Sequence, residues 1–70
     1  MITLEQIQTR LREAIKQSGK TQTEIAKELG VKQCSISKYM NYDKFPSLDT
    51  FANLCEILDV SADDILGLRK

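Results

Sequence analysis

Apolar residues recur at intervals of three and four along nearly the whole chain, the spacing of one buried helix face, and the breaks fall at residues that start or stop helices. In the first segment the stripe is Leu4, Ile7, Leu11, Ala14 and Ile15, and Thr3 with Gln6 has the spacing of a capping box. These predict an amphipathic helix of about four turns, closed by Ser18 and Gly19. Thr21 and Glu24 repeat the capping box and open a short helix with Ile25, Ala26 and Leu29 inward, which Gly30 ends. After only Gly30, Val31 and Lys32 the helical period resumes at Ile36, Tyr39 and Met40, so the two short helices must cross steeply through a tight turn. The stretch Asn41 to Pro46 breaks the pattern. Ser47 is expected to cap a fourth helix with Leu48, Phe51, Ala52, Cys55 and Leu58 on its inner face. Ser61 is expected to start a fifth, with Asp63 and Asp64 where the helix dipole favours negative charge and Ile65, Leu66 and Leu68 as its apolar side. No strand signal, repeat or linker interrupts the series, and only Arg69 and Lys70 are expected beyond the last helix. The chain therefore reads as one all-α, five-helix domain spanning residues 1–70, with a helix-turn-helix at 22–41.

Size and composition narrow the function. A core built from 70 residues leaves a net stability of roughly 3 to 5 kcal/mol, so a large buried catalytic cavity is not expected. The chain has no histidine, no glycine-rich phosphate loop and no clustered acid pair, which argues against an enzyme, and no cofactor is implied. Cys34 and Cys55 lack the paired spacing of a metal site or a disulfide framework and suggest a reduced, cytoplasmic protein. No apolar run is long enough to cross a bilayer, and Met1 to Glu5 lacks the basic and then apolar segments of a signal peptide.

The formal net charge of zero looks unlike a nucleic-acid binder, but its distribution changes the picture. Between Arg10 and Lys44 eight basic residues stand against four acids, a local charge of +4, and the remainder carries the compensating −4. One end can face phosphate while the other turns away.

The pair of short helices supplies the chemistry. A side chain larger than Ala26 would push them apart, and a β-carbon at Gly30 would resist a turn with positive φ at a cost of about 1 kcal/mol. Close packing then leaves the second helix exposed on one side, able to enter a major groove. Its outward residues are Gln33, Cys34, Ser37 and Lys38, with Lys32 at its start. Glutamine bonds adenine bidentately and lysine reaches guanine, each discriminating by roughly 1 to 3 kcal/mol.

The segment TQTEIAKELGVKQCSISKYMN, Thr21 to Asn41, resembles the helix-turn-helix of the phage repressor and Cro family, of XRE or lambda-repressor type. The likeness continues through PSLDTFANLCEILDVSADDILGL to Leu68. The glycine, the small residue and the apolar positions Ile25, Leu29, Val31, Ile36 and Tyr39 all fall in register. The resemblance implies a five-helix fold that binds double-stranded DNA, usually as a homodimer on a palindromic operator. By matching position it implies that Gln22 bonds a phosphate and supports Gln33. Gln33 then reads a base, with Cys34 and Lys38 at the other base-facing positions. Ser35, Asn41 and Lys44 are the implied phosphate contacts, which fix register without carrying sequence information.

Two departures stand out. Relatives usually have a capping Ser or Thr where Lys32 stands, and a lysine cannot accept the cap hydrogen bonds. Many also have an arginine at position 15 and a glutamate at position 40, joined as an ion pair, where this chain has Ile15 and Met40. An apolar contact between them is expected instead. The favoured reading is a transcriptional repressor, with any dimer contact on the fifth helix and tail around Leu66 and Leu68. The competing readings are the antitoxin of a toxin–antitoxin pair and a protein-interaction module on the same fold. Cys34 invites a redox switch but reads better as a plain surface thiol, and Cys55 reads as core. Tyr42 and Phe45 are expected to pack or to flank the loop.

Overall fold

Both predicted capping boxes close. In the computed structural model, which describes residues 1–68, the Thr3 hydroxyl accepts from the Gln6 amide at 3.3 Å while the Thr3 amide donates to Gln6 Oε1 at 3.0 Å. Thr21 and Glu24 make the same reciprocal pair, both bonds at 3.1 Å. These caps fix the starts of α1 (Leu4–Gln17) and α2 (Gln22–Leu29), each stabilising its helix by about 1 kcal/mol. The chain continues through α3 (Gln33–Met40), α4 (Leu48–Leu58) and α5 (Ala62–Leu66), and no strand occurs among the described residues. Arg69 and Lys70, expected beyond the last helix, lie outside the described residues.

Four aliphatic side chains, one from each of the first four helices, meet at the centre: Leu11, Ile25, Ile36 and Leu54 are at most 1% exposed. Ile65 brings α5 into the same cluster. α2 packs against α3 and α4, and α1 packs against α3 and α5. Ala26, 4% exposed, keeps the two short helices close, as its size predicted. Ile15 belongs to this buried cluster and Met40 is partly buried against the cluster as a whole, so both positions of the expected apolar pair are at the core.

The inner face of α4 differs from the expected one. Leu48 is 86% exposed and Ala52 is also outside, whereas Leu54, absent from the expected stripe, is fully buried beside Phe51, Cys55 and Leu58. Two stripes of the same period overlap in this sequence, and the one that wins is the one its neighbours cover. Ala52 lies about 100° around the helix from Phe51, off the winning face. Leu48 shares the register of Phe51 but begins the helix, where no neighbouring element covers it. Leu4, at the start of α1, is likewise 56% exposed.

The last helix is shorter than expected. Gly67 adopts φ +77° and the Leu68 amide donates back to the Asp63 carbonyl at 2.9 Å, so Leu68 lies past the helix and is 60% exposed, while Leu66 is half-buried against the core. A β-carbon on Gly67 would stand 2.6 Å from Arg10 Nη1, which shows how closely α1 covers this end. Ser47 and Ser61 occupy the N-cap positions of α4 and α5, but neither makes a side-chain cap bond. The Ser47 hydroxyl donates instead to Asp49 at 2.6 Å, and that bond is the first reason the Asp49 carboxyl sits below its ordinary range.

Candidate nucleic-acid interface

The turn between α2 and α3 has the geometry that only glycine adopts at little cost. Gly30 has φ +79°, and its amide donates to the Ala26 carbonyl at 2.9 Å, an oxygen that also accepts from Val31 at 3.0 Å. Val31 then packs against the core, and Lys32 turns the chain into α3. Lys32 stands at the N-cap without a side-chain cap bond, as its chemistry requires, and its ammonium is left exposed at the entry to the helix.

α3 is amphipathic across its short length. Ile36 and Tyr39 face the core, and Gln33, Cys34 and Lys38 are exposed on the opposite side with Ser37 half-buried between. Gln33, Cys34, Ser37, Lys38 and Asn41 surround one hollow, so five of the nine sequence-derived candidates are brought together. Asp43 joins them. Its sequence signal was only that of a loop acid, but its amide donates to the Lys38 carbonyl at 2.9 Å and this bond folds it back toward the helix.

The other four candidates do not line this hollow. Gln22 is the first residue of α2 and half-buried, Lys32 opens α3, Ser35 is half-buried, and Lys44 is exposed in the following loop. No hydrogen bond joins Gln22 to Gln33 among the described residues. Both amides are accessible to water, which competes for the same donors and acceptors.

The loop after α3 is held from behind. Tyr42 takes a left-handed conformation, φ +64°, and its hydroxyl lies 3.0 Å from that of Thr9 on α1. Thr9 directs its one proton to the Glu5 carbonyl at 2.9 Å, so Tyr42 is the donor. The Arg12 guanidinium carbon sits 5.9 Å from the centre of the Tyr42 ring. Farther along, the Phe45 and Phe51 rings meet at 5.6 Å between centroids and tie the loop to α4. Of the two residues expected to pack or to flank the loop, Phe45 packs against the core, while Tyr42, 36% exposed, flanks the loop with its hydroxyl on Thr9.

The helix-turn-helix family model matches residues 11–65, most of the chain. The chain belongs to the helix-turn-helix family, in its phage-repressor (XRE) branch. Among curated proteins it is similar to the antitoxin HipB of Escherichia coli O6:H1, 42% identical over 45 residues, covering 64% of this chain and 48% of HipB. It is 30% identical over 61 residues to the cryptic phage CTXphi transcriptional repressor RstR of Vibrio cholerae, covering 87% of this chain and 54% of RstR. The transcriptional regulator ImmR of Bacillus subtilis matches at 36% over 58 residues, 83% of this chain and 46% of its own length. The chain thus spans about half the length of the curated relatives it matches. No solved structure matches it.

The hollow lies on the exposed side of α3, the second helix of this helix-turn-helix. Among the described residues no helix is long and apolar enough to cross a membrane. The thiols of this helix-turn-helix domain are both free, Cys34 exposed and Cys55 buried, and burial pushes the Cys55 thiol above its ordinary value.

Proposed function

We propose that this helix-turn-helix binds double-stranded DNA sequence-specifically and regulates transcription in the cytoplasm, as a repressor. The observation that carries the reading is the exposed face of α3, where Gln33, Cys34, Ser37, Lys38 and Asn41 converge on one hollow while the opposite face packs against α2 and the core. In this reading Gln33 and Lys38 reach base edges, Cys34 and Ser37 contact bases at short range, and Gln22, Lys32, Ser35, Asn41 and Lys44 grip phosphates. The reading is supported by the repressor RstR and the regulator ImmR among its relatives. The unit acts as a homodimer through α5 and the tail, with exposed Leu68 contributing more than Leu66, which is already half-buried in its own core.

Selection of binding sites from a random duplex pool tests this. A palindrome with half-sites about one helical turn apart is expected, relaxed in Gln33→Ala, with log affinity falling against log salt by about 0.9 per phosphate contacted. No enrichment, or affinity indifferent to salt, would overturn it. A second reading, an antitoxin that uses the same DNA-binding module and holds a toxin on another surface, is favoured by the likeness to HipB. That reading expects a stable complex with a protein encoded beside it, in addition to the selected DNA site.

A further inference from the structure

Tyr42 occupies a backbone conformation that costs a residue with a β-carbon roughly 1 to 2 kcal/mol, at a position where glycine would pass freely. Outliers of this kind persist where the surroundings over-determine them, and they cluster where geometry matters to function. The surroundings of Tyr42 are specific. Its hydroxyl donates to Thr9, its ring lies beside the Arg12 guanidinium, and both partners belong to α1. Arg12 Nε is itself buried without a hydrogen-bond partner, and its guanidinium carbon lies 5.9 Å from the ring centre.

The neighbours of Tyr42 turn the other way. Asn41 and Asp43 both line the hollow on the outer side of α3, and Lys44 follows in the exposed loop. The left-handed residue is what lets the Asp43 amide reach back to the Lys38 carbonyl and close the helix end. One side chain thus faces α1 while the residues flanking it face the proposed DNA surface.

We propose that Tyr42 is a positioning residue for phosphate recognition: by anchoring its hydroxyl on Thr9 and its ring beside Arg12, it fixes the backbone that presents Asn41 and Lys44 to the DNA strand. This rests on the DNA-binding reading of α3. Glycine at position 42 would satisfy the backbone but remove the tether to α1, leaving the Phe45 ring on Phe51 as the loop's attachment. The tyrosine exchanges backbone ease for a fixed orientation, which lowers the ordering cost of binding. Phosphate contacts position a domain without reading sequence, so the effect falls on affinity and salt dependence and leaves base preference intact.

The test compares the full chain with Tyr42→Gly, Tyr42→Phe and Thr9→Val on the duplex selected by the wild type, across a salt series, alongside thermal melts and amide relaxation of residues 41–45 without DNA. Wild-type binding is the control for the underlying reading: if the wild type selects no duplex, the DNA-binding assignment itself fails and this one with it. If the wild type binds, Tyr42→Gly is expected to stay folded with a mobile loop, bind about ten-fold more weakly and lose about 0.9 in salt slope per phosphate contact, with the selected sequence unchanged. Tyr42→Phe, which lacks only the hydroxyl bond, and Thr9→Val, which lacks it together with the Thr9 bond to the Glu5 carbonyl, are expected to fall between. A wild-type salt slope in a folded Tyr42→Gly, or loop amides as rigid as in the parent, would overturn the proposal. If Tyr42→Gly does not fold, the two hydroxyl variants decide by the same readouts.

Discussion

Gly30 donates its amide to the carbonyl of Ala26, four residues back, and the pair sets the angle between the two short helices from opposite requirements. Gly30 needs a free backbone and has open space where a β-carbon would stand, whereas Ala26 needs a small volume and is 4% exposed. Gly30→Ala should therefore cost only the backbone strain, about 1 kcal/mol. Ala26→Leu should cost about 1 to 3 kcal/mol through overpacking, and should weaken DNA binding further by moving α3. Urea denaturation of both variants separates the two; equal losses would show that the helix spacing is not set at Ala26.

Lys32 opens α3 without capping it. Lys32→Ser is expected to raise stability by about 1 kcal/mol and to weaken operator binding. If melts rise and binding is unchanged, the lysine makes no contact with DNA.

Asp59 closes α4 in the left-handed region, φ +56°, with the Val60 amide donating to the Cys55 carbonyl at 3.0 Å. Asp59→Gly should remove the strain and stabilise the domain by up to about 1 kcal/mol, a rise of roughly 4 to 8 °C in Tm. The position is remote in sequence from the candidate interface, so DNA affinity should not move. A lower Tm would show that the carboxylate contributes more than the backbone conformation costs.

Acid should destabilise the fold in a defined window. The Glu24 carboxyl lies below its ordinary value of 4.5, first because it accepts from the Thr21 backbone amide, and Asp49 lies below 3.8, first through the Ser47 hydroxyl. Depressed carboxyls contribute stability that is present above their unfolded values and is lost as pH falls through their folded ones. The thermal midpoint should thus hold steady through mildly acid pH and fall below about 4.5, and Glu24→Gln with Asp49→Asn should shrink that fall. An unchanged acid limb in the double variant would assign the loss to other groups.

Cys34 and Cys55 offer a footprint of the interface. Cys34 is exposed beside the hollow and Cys55 is 4% exposed, with its thiol held neutral by burial. A thiol-alkylating reagent should modify Cys34 alone in the native protein, and a selected duplex should protect it. Alkylation at an undiminished rate in the bound complex would place DNA elsewhere.

Local rules settled much of this protein before any packing was considered. Thr3 with Gln6 and Thr21 with Glu24 cap from within four residues, and Gly30 turns because of its own missing β-carbon, so each outcome was legible from neighbours in sequence. The alternation of Ile36 and Tyr39 with Gln33, Cys34 and Lys38 likewise fixed which side of α3 faces out. The tertiary structure decided what depends on distant partners. It chose Leu54 over Leu48 and Ala52 as the inner face of α4, because two stripes of equal period differ only in what covers them. It brought Tyr42 to Thr9, 33 residues away, whereas the end of α5 at Gly67 and the return of Asp43 to Lys38 are closures made within five residues. Helical period and capping act over a single turn and can be read along a chain; contacts made across the core, or by a loop folded back on another helix, are fixed only when the whole chain closes.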